Sequence, residues 1–175
     1  MIGATNVVEV LGAETSNVTN MTWTFFDCSA LTSVSLFDTS NVTSMAFMFR
    51  GCSSLTGVPL FNTSKVTDIG SMFDGGCSSL SSVPLFDTSN VTNMTFVFQN
   101  CTSLTSIPLF DTSKAINTFW MFENCYNVQS GALALYQQAS TQANPPLYHM
   151  GMFGDCGINT QTGSAELAQI PSDWK

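Results

Sequence analysis

Apolar and polar positions along the chain repeat with a period of 24 residues. A unit runs through Leu-x-x-Val-x-Leu, a polar Asp-Thr-Ser-Asn phrase and Val-x-x-Met, and it closes with an apolar residue followed by Phe. Because one short unit cannot bury its own apolar face, the repetition predicts a stack of rungs that share a core. Five units begin at Ala4, Cys28, Cys52, Cys77 and Cys101, a looser sixth with an insertion spans Cys125 to Cys156, and residues 167–171 repeat only the Leu-x-x-Ile-Pro phrase.

The pattern within a unit predicts its elements. The Leu-x-x-Val-x-Leu phrase, which is Leu31, Val34 and Leu36 in the second unit, predicts an inward-facing strand of a narrow parallel sheet. The Asp-Thr-Ser-Asn phrase predicts a tight turn, because these side chains bond to nearby backbone groups. The Met-Phe end predicts a short helical or 3₁₀ turn. A column of stacked phenylalanines is expected in the core, at Phe25, Phe49, Phe73, Phe98, Phe122 and Phe153.

The last part of the chain departs from the repeat. Residues 130–142 are the only good helical stretch, and Asn144-Pro145-Pro146 ends it. A solenoid needs an atypical end to cover its last apolar face. We therefore predict a repeat solenoid at residues 1–125, and an atypical last rung with a C-terminal cap containing one helix at residues 126–175. Together they form a single continuous domain.

The full phrase C-x-S-L-T-S-V-P-L-F-D-T-S-N-V-T-x-M-x-x-M-F resembles the repeat of the BspA-like leucine-rich repeat family, which occurs in bacterial surface proteins and in phage particles. The similarity covers residues 4–125 well and residues 125–175 in fragments. It implies a leucine-rich-repeat-like, right-handed stack of about six rungs. It also implies a binding scaffold, although such scaffolds serve many partners.

Composition narrows the classes of function. Only 9% of the residues are charged, and Lys and Arg number four against a net charge of −8. Four basic side chains cannot neutralise a phosphate backbone, and nucleic acid is therefore not an expected partner. No apolar run reaches the roughly 18 residues of a membrane span, so membrane insertion is not expected. The start, MIGATNVVEVLG, lacks the basic region of a signal peptide and continues into the first unit.

Three sets of residues are of types that can bind metal ions or take part in catalysis. The six cysteines occupy one position of the unit, which predicts a column of reduced core thiols rather than disulfides or a metal site, because metal ligands must converge on one point. The acidic column of Glu14, Asp38, Asp87 and Asp111, interrupted by Asn62, could bind Ca²⁺, but turn capping explains Asn62 equally well. His149 lies near Cys156 in sequence, and a core or cap role is expected for it. No catalytic residue, metal or cofactor is predicted.

Aromatic residues outside the repeat pattern are the candidate partner-binding residues. Trp23 and Trp120 occupy neighbouring places of their rungs, and Phe119 stands beside Trp120 where other rungs carry small residues. Aromatic side chains often anchor protein interfaces. Core packing is the competing interpretation for one of the two tryptophans.

These observations predict a non-enzymatic structural or adhesion module displayed on a surface. The main hypothesis is a phage virion component, in the capsid or a tail appendage, that binds protein or glycan, because a virion protein needs no leader. The alternative is a bacterial surface or intracellular scaffold for protein–protein interaction. Unpaired strand edges invite another chain, so the N-terminal end is predicted to dock on another virion protein or a second copy.

Overall fold

The computed structural model describes residues 2–175 and shows a repeat solenoid with few regular elements. Strands β1 (Glu9–Val10) and β2 (Ser33–Val34) pair in parallel. Helices α1 (Ala132–Thr141) and α2 (Gln161–Ala168) and a 3₁₀ turn at Ser172–Trp174 follow the repeats. The rungs between are built from turns and single-residue bridges.

A continuous parallel ladder runs through the stack on the side of the Val-x-x-Met phrase. The ladder joins Asn20, Ser44, Asp68, Asn93, Asn117 and Tyr148 in order. We had predicted the parallel sheet at the Leu-x-x-Val-x-Leu phrase, but within residues 2–175 that phrase pairs only at β1–β2, with a further bridge from Ser106 to Ser130. Proline explains the difference. Ser35 donates its backbone N–H to the Val10 carbonyl at 3.0 Å, and the next two rungs have Pro59 and Pro84 at that place, which lack the N–H.

The Met-Phe end of each rung is a run of overlapping turns and not the predicted helical turn. Residues with a left-handed backbone interrupt the chain there, at Trp23 (φ 64°) and Asp27 (φ 54°). Every second N–H in this stretch points at the following rung: the Trp23 N–H donates to the Ala46 carbonyl at 3.1 Å and the Phe25 N–H to the Met48 carbonyl at 2.8 Å. A helix would satisfy these donors internally, and the rungs would lose their cross-links.

The core contains the predicted phenylalanine column. Neighbouring rings lie 5.1–6.0 Å apart between centroids and are nearly parallel. A second buried column escaped the sequence analysis: Phe37 stacks on Phe61 at 6.2 Å, and Phe61 on Phe86 at 6.5 Å. The two columns are continuous with each other, since Phe49 also packs on Phe61 at 6.3 Å.

The second column corrects the predicted orientation of the strand phrase. The leucine before each of these phenylalanines was expected to face inward, but the structure leaves it 54–63% exposed. Successive side chains of an extended segment point to opposite sides, and the larger phenylalanine occupies the core. The four leucines are Leu36, Leu60, Leu85 and Leu109.

The C-terminal cap has two helices where we predicted one. Glu166 of α2 accepts a hydrogen bond from the Leu133 backbone N–H of α1 at 3.1 Å. The buried Trp174 then closes the stack, because its carbonyl accepts the Phe153 N–H at 2.9 Å, where a further rung would otherwise supply the acceptor. No helix within residues 2–175 has the length and apolar character needed to cross a bilayer.

Candidate interaction surfaces

The cysteine column is reduced, buried and chemically quiet, which confirms the prediction of a core ladder. The thiols of Cys52 and Cys77 donate hydrogen bonds of 3.0 Å to the carbonyls of Phe25 and Phe49. Desolvation by burial, aided by the neighbouring thiol, raises the pKa of Cys52 to about 12. The pKa values of Cys77, Cys101 and Cys125 are raised further for the same reason. Neutral thiols are poor nucleophiles and poor metal ligands.

The acidic column caps turns. Asp38 Oδ1 accepts the Ser40 backbone N–H at 3.0 Å, and Asp87 Oδ1 accepts from both the hydroxyl and the N–H of Ser89 at 2.7 and 3.1 Å. These hydrogen bonds lower the pKa of both carboxyls. Asn62 makes the same contact to Ser64 at 3.2 Å, so the interruption is functionally equivalent. Within residues 2–175, no three His, Cys, Asp or Glu side chains are grouped to hold a metal ion.

His149 belongs to the cap. Its imidazole stacks on the Trp174 indole, with 4.0 Å between ring centroids and 11° between planes. Cys156 is buried, and desolvation together with Glu166 raises the pKa of its thiol to about 12. The arrangement is that of packed cap residues and supplies no activated thiol.

One position in each of the first five rungs has a left-handed backbone, and in four of these rungs it carries a large aromatic side chain. These residues, which we call the aromatic strip, are Trp23, Phe47, Ser71, Phe96 and Trp120, with φ between 51° and 64°. Left-handed geometry costs an L-residue roughly 1–2 kcal/mol, and bulky residues are rare there. In the sixth rung the position is Gly151, and a Cβ at Gly151 would overlap the Trp120 indole. The strip therefore places aromatic rings on the surface against the local backbone preference.

The predicted partner-binding residues lie at the two ends of this strip. Trp23 is 37% exposed and stacks on Phe47 at 4.2 Å with 8° between planes. Half-buried Phe119 and Trp120 contact each other at 4.3 Å, and both contact Phe96, at 5.9 and 5.5 Å. The tryptophans thus occupy the same place of their rungs and not neighbouring places. The sequence analysis missed Phe47 and Phe96, although counting one period from each tryptophan would have found them.

The strip is interrupted in the third rung, where Gly70 and Ser71 replace the larger pair. The interruption opens a groove of about 750 Å³ between Phe47 and Phe96, with Ser71 among its lining residues. An ion pair between Arg50 Nε and Asp74 Oδ2, 2.9 Å long, borders it. Phe47 and Phe96 form two of the groove's walls, and polar residues such as Asn93 and Thr95 line most of the rest.

A second apolar surface is formed by the exposed leucines. We call Leu36, Leu60, Leu85 and Leu109 the leucine ridge. The residue is the same in all four rungs, whereas the aromatic strip changes from rung to rung. A constant ridge offers little to distinguish one partner from another.

The N-terminal end of the stack has a small apolar cavity of about 150 Å³. Val10, Met21, Phe25 and Phe37 are among its lining residues. Ala13 also lines it and occupies, one period earlier, the place of Phe37. The second phenylalanine column therefore stops one ring short of the first rung.

Comparison with known proteins places these features in a family. A family model described as "Mycoplasma protein of unknown function, DUF285" matches residues 4–79 and 56–144. The chain belongs to this DUF285 family. No curated protein matches the chain.

Solved structures similar to the DUF285 chain are bacterial leucine-rich repeat proteins. A leucine-rich repeat protein from Bacteroides ovatus is 18% identical with a TM-score of 0.53, over 73% of this chain and 31% of that one. The leucine-rich repeat protein of T. pallidum is 18% identical with a TM-score of 0.54, over 93% and 83%. A leucine-rich cell surface protein from Faecalibacterium prausnitzii is 18% identical with a TM-score of 0.55, over 89% and 48%.

These similarities establish the leucine-rich-repeat type of solenoid and no more than the fold. The chain spans 31% of the length of the Bacteroides ovatus protein and 45% of the length of a further similar leucine-rich repeat protein, from Eubacterium ventriosum. The BspA-like resemblance is therefore supported at the level of the leucine-rich repeat class.

Proposed function

We propose that the chain is a non-enzymatic protein-binding module that contacts its partner through the aromatic strip, with Trp23, Phe119 and Trp120 as anchors. The observation that carries the proposal is the presence of bulky aromatic residues at left-handed surface positions. Strained backbone positions occupied against preference are typical of functional sites. Aromatic side chains are also the residues most enriched at interface centres.

The contrast between the two apolar surfaces supports the choice of the strip. The leucine ridge repeats one residue, while the strip combines Trp, Phe and Ser in a fixed order with a groove in its middle. Selective recognition of one partner requires a surface whose side chains differ from rung to rung, because specificity is a difference between affinities. The quiet thiols and the packed His149 fit a module without catalysis.

A bacterial cell surface or an interaction scaffold suits the module better than a phage particle. One protein of similar fold is described as a leucine-rich cell surface protein. The phage virion role, in capsid or tail, and glycan as the ligand stay predictions without support from the fold or from the similar proteins.

The N-terminal end is a further contact that we propose. It exposes Ile2 and Leu11 and contains the cavity at Ala13. A partner that supplies one apolar side chain to this cavity would extend the phenylalanine column by one ring.

Selection from a random peptide library on the immobilised chain tests the use of the strip. We expect the enriched peptides to bind the wild type saturably and to lose at least tenfold in affinity on Trp23→Ser and on Trp120→Ser. Leu36→Ser and Leu85→Ser are the matched controls, because they remove exposed apolar side chains from the ridge. Peptides that ignore the strip variants, or that lose affinity only on the ridge variants, would contradict the proposal.

A further inference from the structure

We propose that the groove at Ser71 is a socket for a single planar aromatic side chain supplied by a partner protein. The inference rests on the proposed protein-binding function and specifies its central contact. The socket is the one rung of the aromatic strip, from Trp23 to Trp120, where the chain supplies no ring. A partner ring would complete the strip.

The spacing of the rungs fits one ring. In the adjacent buried column, Phe49 and Phe73 are 5.6 Å apart and Phe73 and Phe98 are 5.4 Å apart, and these residues come from the same three rungs as the socket. Phe47 and Phe96 are therefore two rungs apart. A ring midway between them would lie about 5 Å from each, inside the range of favourable aromatic pairs.

Asn93 and Arg50, two of the polar residues around the socket, are already paired, which favours an aromatic ring over a sugar. Asn93 already donates to Asp68 Oδ1 at 2.9 Å, and its Oδ1 accepts from the backbone N–H and the hydroxyl of Thr95 at 3.1 and 2.7 Å. Arg50 is paired with Asp74. A sugar must exchange its hydration for hydrogen bonds to unpaired partners, whereas an aromatic ring requires none.

The backbone of the socket is already shaped for an aromatic residue. Ser71 has φ 54°, and Phe47 and Phe96 both have φ 58°. A phenylalanine introduced at this position can therefore adopt the conformation that its neighbours already use. Ser71→Phe is a self-filling variant, and Ser71→Ala is its matched control that leaves the groove open.

The test uses N-acetyl-L-tryptophanamide as the probe, followed by amide chemical shifts of the full chain. We expect saturable shifts at Gly70, Ser71 and Thr95 with a dissociation constant in the millimolar range. Ser71→Phe should weaken binding at least tenfold, and Ser71→Ala should bind within twofold of wild type. If Ser71→Phe does not fold, Phe96→Ala removes one wall and should give the same loss.

Three results would overturn the socket: no saturable shift in the wild type, unchanged affinity in a folded Ser71→Phe variant, or tighter binding of N-acetylglucosamine than of the aromatic amide. The failures of the two proposals are separable. Selected peptides that lose affinity on Trp120→Ser but not on Ser71→Phe would reject the socket and leave the protein-binding function standing. Peptides unaffected by every strip variant would reject that function itself.

Discussion

The thiol of Cys77 donates a 3.0 Å hydrogen bond to the carbonyl of Phe49. Cys52, Cys101 and Cys125 make the equivalent contact to the phenylalanine of an earlier rung. The hydrogen bond ties the cysteine column to the phenylalanine column. It also requires a protonated thiol, which has consequences for stability at alkaline pH.

We predict that alkaline pH destabilises the fold through these thiols. In the unfolded chain they ionise near pH 9, whereas burial raises the pKa of Cys52 and Cys156 to about 12 in the folded chain. The stabilisation is fully present below pH 9 and is lost as the pH rises from about 9 towards about 12. Each thiol should lower the free energy of unfolding by about 1.4 kcal/mol per pH unit in that window, which urea titrations at successive pH values would measure.

The Cys101→Ala variant provides the control for this effect, because it has one titrating thiol fewer and its stability should fall less steeply with pH. Thiol labelling is an independent measurement. The cysteines should react with an aromatic disulfide reagent only after unfolding, and rapid labelling of native Cys77 or Cys101 at neutral pH would contradict the buried ladder.

Two leucines of the same rung should respond oppositely to substitution. Leu80 is fully buried and Leu85 is 58% exposed. Leu80→Ala should therefore cost about 2–5 kcal/mol in free energy of unfolding, and Leu85→Ala should stay within about 0.5 kcal/mol of wild type. Urea denaturation of the two variants measures this. Equal losses of stability in the two variants would show that Leu85 faces the core, as the strand phrase predicts.

The cavity at the N-terminal end should accept a larger side chain. Ala13→Phe extends the column of Phe37 and Phe61 by one ring and should stabilise the chain by about 0.5–2 kcal/mol. Ala13→Ser, which adds a polar group without filling the cavity, serves as control and should not stabilise. A melting temperature lowered by Ala13→Phe would show that the cavity cannot accommodate the ring.

Gly151 should be intolerant of even one methyl group. Its φ of 67° is left-handed, and a Cβ would collide with the Trp120 indole. Gly151→Ala should cost about 1–3 kcal/mol and shift the tryptophan fluorescence as the indole moves. Gly154→Ala is the matched control, since the closest contacts of its Cβ would be Glu123 Cγ at 3.3 Å and the Gly151 carbonyl oxygen at 3.4 Å, with no overlap of the kind found at Gly151. Unchanged fluorescence in a folded Gly151→Ala variant would contradict the packing of Trp120.

The turn carboxylates should stabilise their turns without Ca²⁺. Asp87→Asn should be nearly neutral, because Asn62 already serves in the same place, whereas Asp87→Ala loses the Ser89 hydrogen bonds and should cost about 0.5–1.5 kcal/mol. Thermal unfolding of the wild type should be the same with added Ca²⁺ and with EDTA. A rise in melting temperature with Ca²⁺ that Asp87→Asn abolishes would instead establish an ion site.

The repeat itself was readable from the sequence because period, turn phrase and buried cysteines agree. The sequence does not show whether Leu36 or Phe37 faces the core, since both are apolar and adjacent. Packing in the folded stack decides it. Proline removes donors from the expected strand in the later rungs, whereas the continuous ladder runs along the Val-x-x-Met side in all of them. A proline such as Pro59 indicates that a strand is short at that place, but it does not indicate where another ladder forms.

The candidate site was only half visible in the sequence. Trp23 and Trp120 stood out as rare residues, but Phe47 and Phe96 were hidden among fourteen phenylalanines. Their left-handed backbone and the gap at Ser71 are properties of the folded stack. In the sequence alone, Ser71 is an ordinary small residue. Its position between two aromatic side chains is visible only in the structure.

The one-way cross-linking at the Met-Phe end also bears on self-assembly. On this face each rung donates its N–H groups to the rung after it, so the first rung presents the carbonyls of Asn20 and Thr22 as acceptors. Two copies meeting at this edge would bring acceptor to acceptor and could not bond. At the far end the Trp174 carbonyl already accepts the Phe153 N–H, so a further copy would have to displace it there. Both features oppose growth of this ladder into a fibre.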